Sequence, residues 1–142
     1  MRERARRLAR SALRRGDRHL AHLDRGVARR ALLAALPRAM PTQFVPAAAD
    51  GFDGTIALCI RSRNGGPPAR YEIRVAHGRC TVRRVAVPAA GTTITVAGSD
   101  LVRLAGGAAA WPRLLGEGRL EIEGDPFVAL RFPALFGLAA AA

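Results

Sequence analysis

Ser99-Asp100-Leu101-Val102-Arg103-Leu104-Ala105-Gly106-Gly107, followed by Gly118-Arg119-Leu120-Glu121-Ile122-Glu123-Gly124-Asp125-Pro126, spells out a sequence of local structures more fully than any other part of the chain. Ser99 is a good helix N-cap, and Gly106-Gly107 is a helix stop. Leu120 and Ile122 alternate with Glu121 and Glu123, the period of a half-buried strand. Gly124 turns the corner, and Asp125-Pro126 opens a further helix with a capping carboxylate and an early proline. The order is capped helix, glycine stop, short strand, glycine corner, capped helix.

Upstream, the same period of two recurs. Ile56, Leu58 and Ile60 alternate with Thr55, Ala57, Cys59 and Arg61, and both faces are apolar enough mid-strand to predict a central strand. Asn64-Gly65-Gly66-Pro67-Pro68 is a turn cluster. Tyr71, Ile73 and Val75 alternate with Arg70, Glu72 and Arg74 up to His77-Gly78, a two-residue hairpin signal. The next strand, from Arg79 to Val87, changes phase at Arg83-Arg84, which predicts a bulge. Ile94 and Val96 alternate with Thr93 and Thr95 beyond Gly91. Four strands on short turns read as an antiparallel meander with one buried face, and that face must be covered. The covers are helices around Ser99–Ala105 and Pro112–Leu115, an early helix, and the tail from Pro126 to Phe136. The expected class is α+β: a five-stranded, largely antiparallel sheet with helices on one face.

The N-terminal region is helical in pattern. Ala5, Leu8, Ala9 and Ala12 gather on one side of residues 2–15, opposite Arg6, Arg7, Arg10 and Arg14. After Gly16, Asp17 is placed to cap a second helix whose Leu20, Leu23, Val27 and Ala31 repeat at helical spacing as far as Leu36, where Pro37 is expected to stop it. Residues 37–50, with Pro37, Pro41 and Pro46, read as an irregular connector anchored by Met40, Phe44 and Val45. Residues 1–27 form an Arg-rich helical extension, and residues 28–142 the domain proper.

Composition sets the outer limits. A chain of 142 residues, 49% apolar and 5% aromatic, fits one globular domain with a real core. No run approaches the roughly 20 apolar residues that span a bilayer, and no apolar segment follows the first arginines, so a cytoplasmic protein is expected. Residues 1–38 carry twelve arginines against Glu3, Asp17 and Asp24, most of the formal charge of +12. No lysine occurs, which excludes Schiff-base and P-loop chemistry. Arginine without lysine, with abundant Ala and Gly, fits the GC-rich coding of a high-GC bacterium. Cys59 and Cys80 lie on expected strands and fit reduced core residues.

Catalytic and metal constellations fail in turn. Gly106-Gly107 and Gly116-Glu117-Gly118 follow helices, whereas a phosphate loop precedes one. His19 and His22 share a helix face beside Asp17 and Asp24, but His77, the third histidine, is on a hairpin turn, so no metal is expected. Ser11, Ser62 and Ser99 lack a nucleophile-elbow setting, and neither cysteine has a histidine partner. Glu121 and Glu123 share a solvated strand face with nothing apolar to raise a pKa. No catalytic residue and no cofactor follow from these residues. The stripe Arg6, Arg7, Arg10 and Arg14 fits a solubilising face, an anionic membrane surface or an acidic protein partner; docking to lipid would contribute on the order of 1 kcal/mol per arginine. Nucleic acid fits poorly, because no aromatic is interleaved with the arginines. Nothing in the pattern fixes an oligomeric state.

What remains is an apolar inventory. Phe44 in the connector, Leu58, Tyr71, Ile73 and Ile94 on strands, and Leu101, Leu104, Trp111 and Leu114 on covering helices point inward, with Phe127, Leu130, Phe132 and Leu135 of the tail. Together they form either an ordinary core or the lining of a cleft of roughly 300–1,000 Å³. Short, glycine-interrupted helices suit a lid, and the many alanines facing large residues leave room for a guest. Each buried ligand methylene would contribute about 0.8 kcal/mol.

The ordered set of motifs resembles the sterol carrier protein type-2 family over residues 28–136. Its marks are Phe52-Asp53-Gly54-Thr55, Tyr71-Glu72-Ile73-Arg74-Val75-Ala76-His77-Gly78, Thr92-Thr93-Ile94-Thr95-Val96 leading to Ser99-Asp100-Leu101, and Gly118-Arg119-Leu120 through Gly124-Asp125. The resemblance implies helices enclosing a hydrophobic tunnel, and binding or transfer of lipids, acyl groups or sterols; some members are ubiquinone-biosynthesis accessory factors. The chain departs from the pattern in its Arg-rich start, in ending on Leu138 and four alanines rather than a peroxisomal tripeptide, and in Pro133, which is expected to interrupt the final helix. The expected function is therefore a carrier that holds a lipid, acyl chain or isoprenoid-like molecule in an internal cavity without covalent chemistry, peripheral to a membrane where its arginines dock. The rival is a tailoring or cyclising enzyme using the same cavity, which requires a titratable group inside it; Tyr71 and Asp100 are the candidates. A purely structural protein, with a filled core, is the third class.

Overall fold

The computed structural model describes residues 21–62 and 65–138. Five strands, β1 (Gly54–Arg61), β2 (Ala69–Ala76), β3 (Arg79–Arg84), β4 (Thr92–Ala97) and β5 (Leu120–Gly124), form one sheet in the order β3-β2-β1-β4-β5. β1 is central, as its apolar faces require. The first three strands are the expected meander, but β4 departs from it: it pairs with β1, in parallel, and β5 pairs antiparallel with β4. Beside β1, Ile94 lies next to Leu58, which lies next to Tyr71, and all three are fully buried. That row explains the choice of partner, because the exposed edge strand β3 offers β4 much less apolar surface.

His77 and Gly78 both have positive φ, 52° and 73°. Two left-handed residues between paired Ala76 and Arg79 make the two-residue hairpin whose twist matches the strands. The His77 N–H also donates to Asp53 Oδ1 at 3.0 Å. The bulge expected at Arg83-Arg84 is absent, since Arg83 faces Glu72 and Arg84 faces Tyr71 one for one. The change of phase there marks the end of β3 instead.

The helices pack on one face. α1 (Gly26–Gln43) lies against β3, and α2 (Pro46–Ala49) meets α5 (Pro126–Leu135). α3 (Gly98–Gly106) and α5 lie against β4, and α4 (Trp111–Gly116) against β5. The opposite sheet face carries Arg74, Arg83, Glu121 and Glu123 and is open to solvent. Cys59 lies on that face and Cys80 on the inner one, and both are free thiols. Burial raises both, Cys80 to about 11.

α1 overturns three expectations. It runs through Pro37 and Pro41 to Gln43, so neither proline stops it and the connector is helical over much of its length. Its buried stripe is Leu33, Leu36 and Met40, whereas Val27 is 75% exposed. The start expected at Asp17 lies outside the described residues; α1 itself begins at Gly26, after a 3₁₀ turn at Ala21–Asp24.

The helix tolerates Pro37 for a reason that can be located. A proline has no N–H, so the carbonyl four residues back, Leu33, loses its helical donor. The buried Tyr71 hydroxyl donates to that carbonyl at 2.6 Å. Tyr71→Phe removes this donor and leaves a carbonyl unsatisfied in the interior. We expect a loss of about 1–3 kcal/mol, read as a lower urea midpoint at unchanged slope; a midpoint equal to wild type contradicts the assignment.

Pro133 is likewise carried inside α5, which ends at Leu135, so the expected interruption does not occur. The proline is buried with Phe132 and Leu135, and the helix end is tied elsewhere: Leu138 N–H donates to Pro133 O (2.8 Å) and Val45 N–H to Leu135 O (2.7 Å). Ser99 is not the N-cap of α3. That position is Ala97, and Asp24 caps from the 3₁₀ turn, accepting the Ser99 N–H on Oδ1 (2.9 Å) and the Ser99 hydroxyl on Oδ2 (2.7 Å).

Candidate functional site

The interior between sheet and helices is the candidate site. The structure brings Phe44, Leu58, Tyr71, Ile73, Ile94, Leu101, Leu104, Trp111, Leu114, Phe132 and Leu135 into one buried apolar cluster. Phe127 and Leu130 are not in it; on the outer side of α5 they are 78% and 59% exposed. Leu33, Leu36 and Met40 join from α1, and Phe136 from the end of α5. The α1 residues sit at helical spacing on either side of Pro37, so reading through the proline would have found them.

Four rings make a ladder through this interior. Trp111 stacks on Phe132 with centroids 5.4 Å apart and planes 29° from parallel. Phe132 meets Phe136 at 4.9 Å, and Phe136 meets Phe44 at 6.2 Å. The short helices α4 and α5 thus share one aromatic spine with the end of α1. Such pairs contribute roughly 0.5–1.5 kcal/mol each beyond their burial.

The two titratable candidates are both engaged. Burial raises the Tyr71 phenol, with Arg84 and Arg29 opposing, and its hydroxyl is spent on Leu33. Asp100, buried, accepts from Arg103 Nη1 at 2.8 Å and from Arg119 through Nε (3.2 Å) and Nη2. Arg119 also donates to Glu117 Oε2 (3.1 Å), and Arg113 donates to Glu117 Oε1 (3.0 Å). These bonds hold the Glu117 carboxyl below its ordinary value, Arg113 first and Arg119 second. The hydrogen bonds it donates to Asp100 hold the Arg119 guanidinium above its own ordinary value. This chain of charges ties α3 and α4 to the entry of β5.

Among the described residues no group of His, Cys, Asp and Glu could hold a metal ion; Asp17 and His19 lie outside them. Arg6, Arg7, Arg10 and Arg14 also lie outside the described residues. No described helix is long and apolar enough to cross a membrane. At the surface, Pro67, Pro68, Ala69, Arg70, Arg84, Val85 and Ala86 shape an open groove of about 360 Å³, which contains none of the expected lining residues.

The model of the SCP-2 sterol transfer family matches residues 34–137. No curated protein matches the sequence. Among solved structures, palmitated SCP2L2 from Aedes aegypti is 16% identical, with a TM-score of 0.58 over 74% of this chain and 91% of that one. The UbiJ-SCP2 ubiquinone synthesis protein is 17% identical, with a TM-score of 0.55 over 78% and 93%. The sec-alkylsulfatase Pisa1 from Pseudomonas sp. is 18% identical, with a TM-score of 0.57 over 73% of this chain; that match spans 16% of the sulfatase. At these identities the likeness establishes the fold, a mixed sheet with one parallel pair under a helical cover.

Proposed function

The chain belongs to the SCP-2 sterol transfer family, and from that premise we propose that it binds and carries an apolar small molecule between its sheet and helices, without covalent chemistry. The class is a lipid, an acyl chain or an isoprenoid-like molecule. The observation that carries the reading is the continuous apolar interior spanned by the Trp111–Phe132–Phe136–Phe44 ladder, in which Tyr71 and Asp100 already have partners. An enzyme working there needs a titratable group free to exchange a proton, and a carrier needs none. The likeness to UbiJ-SCP2 is consistent with an isoprenoid-type intermediate as the cargo. The carrier works in the cytoplasm, and its arginine stripe meets an anionic membrane surface.

The purified protein is expected to carry a stoichiometric apolar compound, seen as a mass adduct by native mass spectrometry and identified after organic extraction. It is also expected to float with anionic vesicles and not with neutral ones. An empty extract, together with no saturable uptake of any lipid offered, rejects the carrier reading.

A further inference from the structure

The interior satisfies its own polar groups with one complete exception. The Tyr71 hydroxyl is on Leu33 O, Ser99 on Asp24, Asp100 on two arginines, and the Thr92 hydroxyl on Asp125 O. Among the described residues two buried side-chain nitrogens have no partner, Arg29 Nε and Trp111 Nε1. Arg29 still donates through Nη2 to Ile60 O at 3.1 Å. Trp111, 3% exposed, has no second donor. A buried N–H without an acceptor is costly, and a phenylalanine would stack on Phe132 without that cost. The indole N–H of the chain's sole tryptophan is therefore a donor that finds no acceptor among the described residues.

We propose that Trp111 Nε1 is the recognition point for the ligand, and that the ligand places a neutral carbonyl oxygen, of a ketone, ester or quinone, against it. This rests on the carrier reading and narrows it. The functional group follows from counting donors and acceptors. An indole N–H is a donor only, so it is completed by a group that only accepts. A hydroxyl would bring its own proton, and among the described residues no buried side-chain acceptor stands unpartnered to receive it. An ionised carboxylate would bring a charge needing a cation: Arg103 and Arg119 at the buried Asp100 are already taken up by acids, and Arg29 is on α1, which packs against β3, whereas α4 packs against β5 at the other edge of the sheet. A carbonyl brings neither.

The test compares 2-undecanone, undecane, 2-undecanol and decanoate on the full chain. With one tryptophan, the ¹⁵N-labelled protein has one indole N–H signal. That signal is expected to move downfield with 2-undecanone and to stay in place with undecane. By calorimetry, Trp111→Phe is expected to weaken 2-undecanone roughly 3- to 10-fold and to leave undecane unchanged. An indole signal that responds alike to ketone and alkane overturns the proposal, as does one already downfield without ligand, the mark of a bound water. Equal weakening of both probes in Trp111→Phe overturns it too, as does tighter binding of the alcohol or the carboxylate than of the ketone. If Trp111→Phe does not fold, the indole signal of the unaltered protein decides. If no probe binds saturably and the organic extract is empty, the carrier reading fails and this proposal falls with it; if the extract holds a compound, the presence or absence of a carbonyl on that compound decides the proposal.

Discussion

Gly124→Ala is expected to cost at least about 3 kcal/mol, enough to leave little folded protein at 37 °C. Gly124 closes β5 at φ +92° and faces Thr92 across the ladder. A β-carbon built there would sit 1.8 Å from the Gly91 carbonyl oxygen, 2.9 Å from the Gly91 carbonyl carbon and 3.0 Å from Thr92 Cα. All three are backbone atoms, so no rotamer change gives relief. The main chain must part, and with it the last pair between β4 and β5. Gly118→Ala is the control: its φ is +73° but nothing lies within 4 Å of the new atom. There only the left-handed backbone is taxed, by roughly 1–2 kcal/mol. Urea midpoints of the two variants separate the effects. Equal losses would show that the approach of Gly91 to Gly124 is not a constraint.

Phe132→Ala is expected to cost about 3–5 kcal/mol. The ring is 1% exposed and touches both neighbours in the ladder, so its removal leaves a void and breaks two ring pairs. The sole tryptophan reports the event independently. Trp111 emission should shift to the red as its cover is lost, before any unfolding in urea. Phe132→Leu, which fills most of the volume, should cost about 1.5 kcal/mol or less. A Phe132→Ala variant as stable as wild type would mean that the ladder is decoration on the core rather than part of it.

The local layers of this fold were legible in the chain. Alternation located the five strands, His77-Gly78 located the hairpin, and Asp125 caps α5 as its position implies, accepting the Phe127 N–H at 2.9 Å. Most of the interior was legible too, because bulky residues at strand or helix period can point to only one place. What was hidden depends on partners far along the chain. Pro37 reads as a helix stop until Tyr71, 38 positions from the affected carbonyl, supplies the missing hydrogen bond. Ser99 reads as a cap until Asp24, 75 positions away, takes the role. Phe127 and Leu130 have the same chemistry as Phe132 and Leu135, and only the orientation of α5 sends the first pair outward. β4 alternates well enough to join any edge, so its place beside β1 comes from the sheet as a whole. The unpaired indole of Trp111 was invisible for the same reason, since a missing acceptor is a property of surroundings.

The parallel seam between β1 and β4 bears on how the molecule is made. β1, β2 and β3 find one another through turns of a few residues, whereas Ile56 meets Thr92 across thirty-six positions of chain. Such distant closure is slow, because a long loop is ordered before any contact rewards it. Until it closes, one flank of the most apolar strand stays naked to every other nascent copy. Closure of this seam is therefore expected to be the slow step of assembly, and the interval before it the time when the protein is most open to clumping.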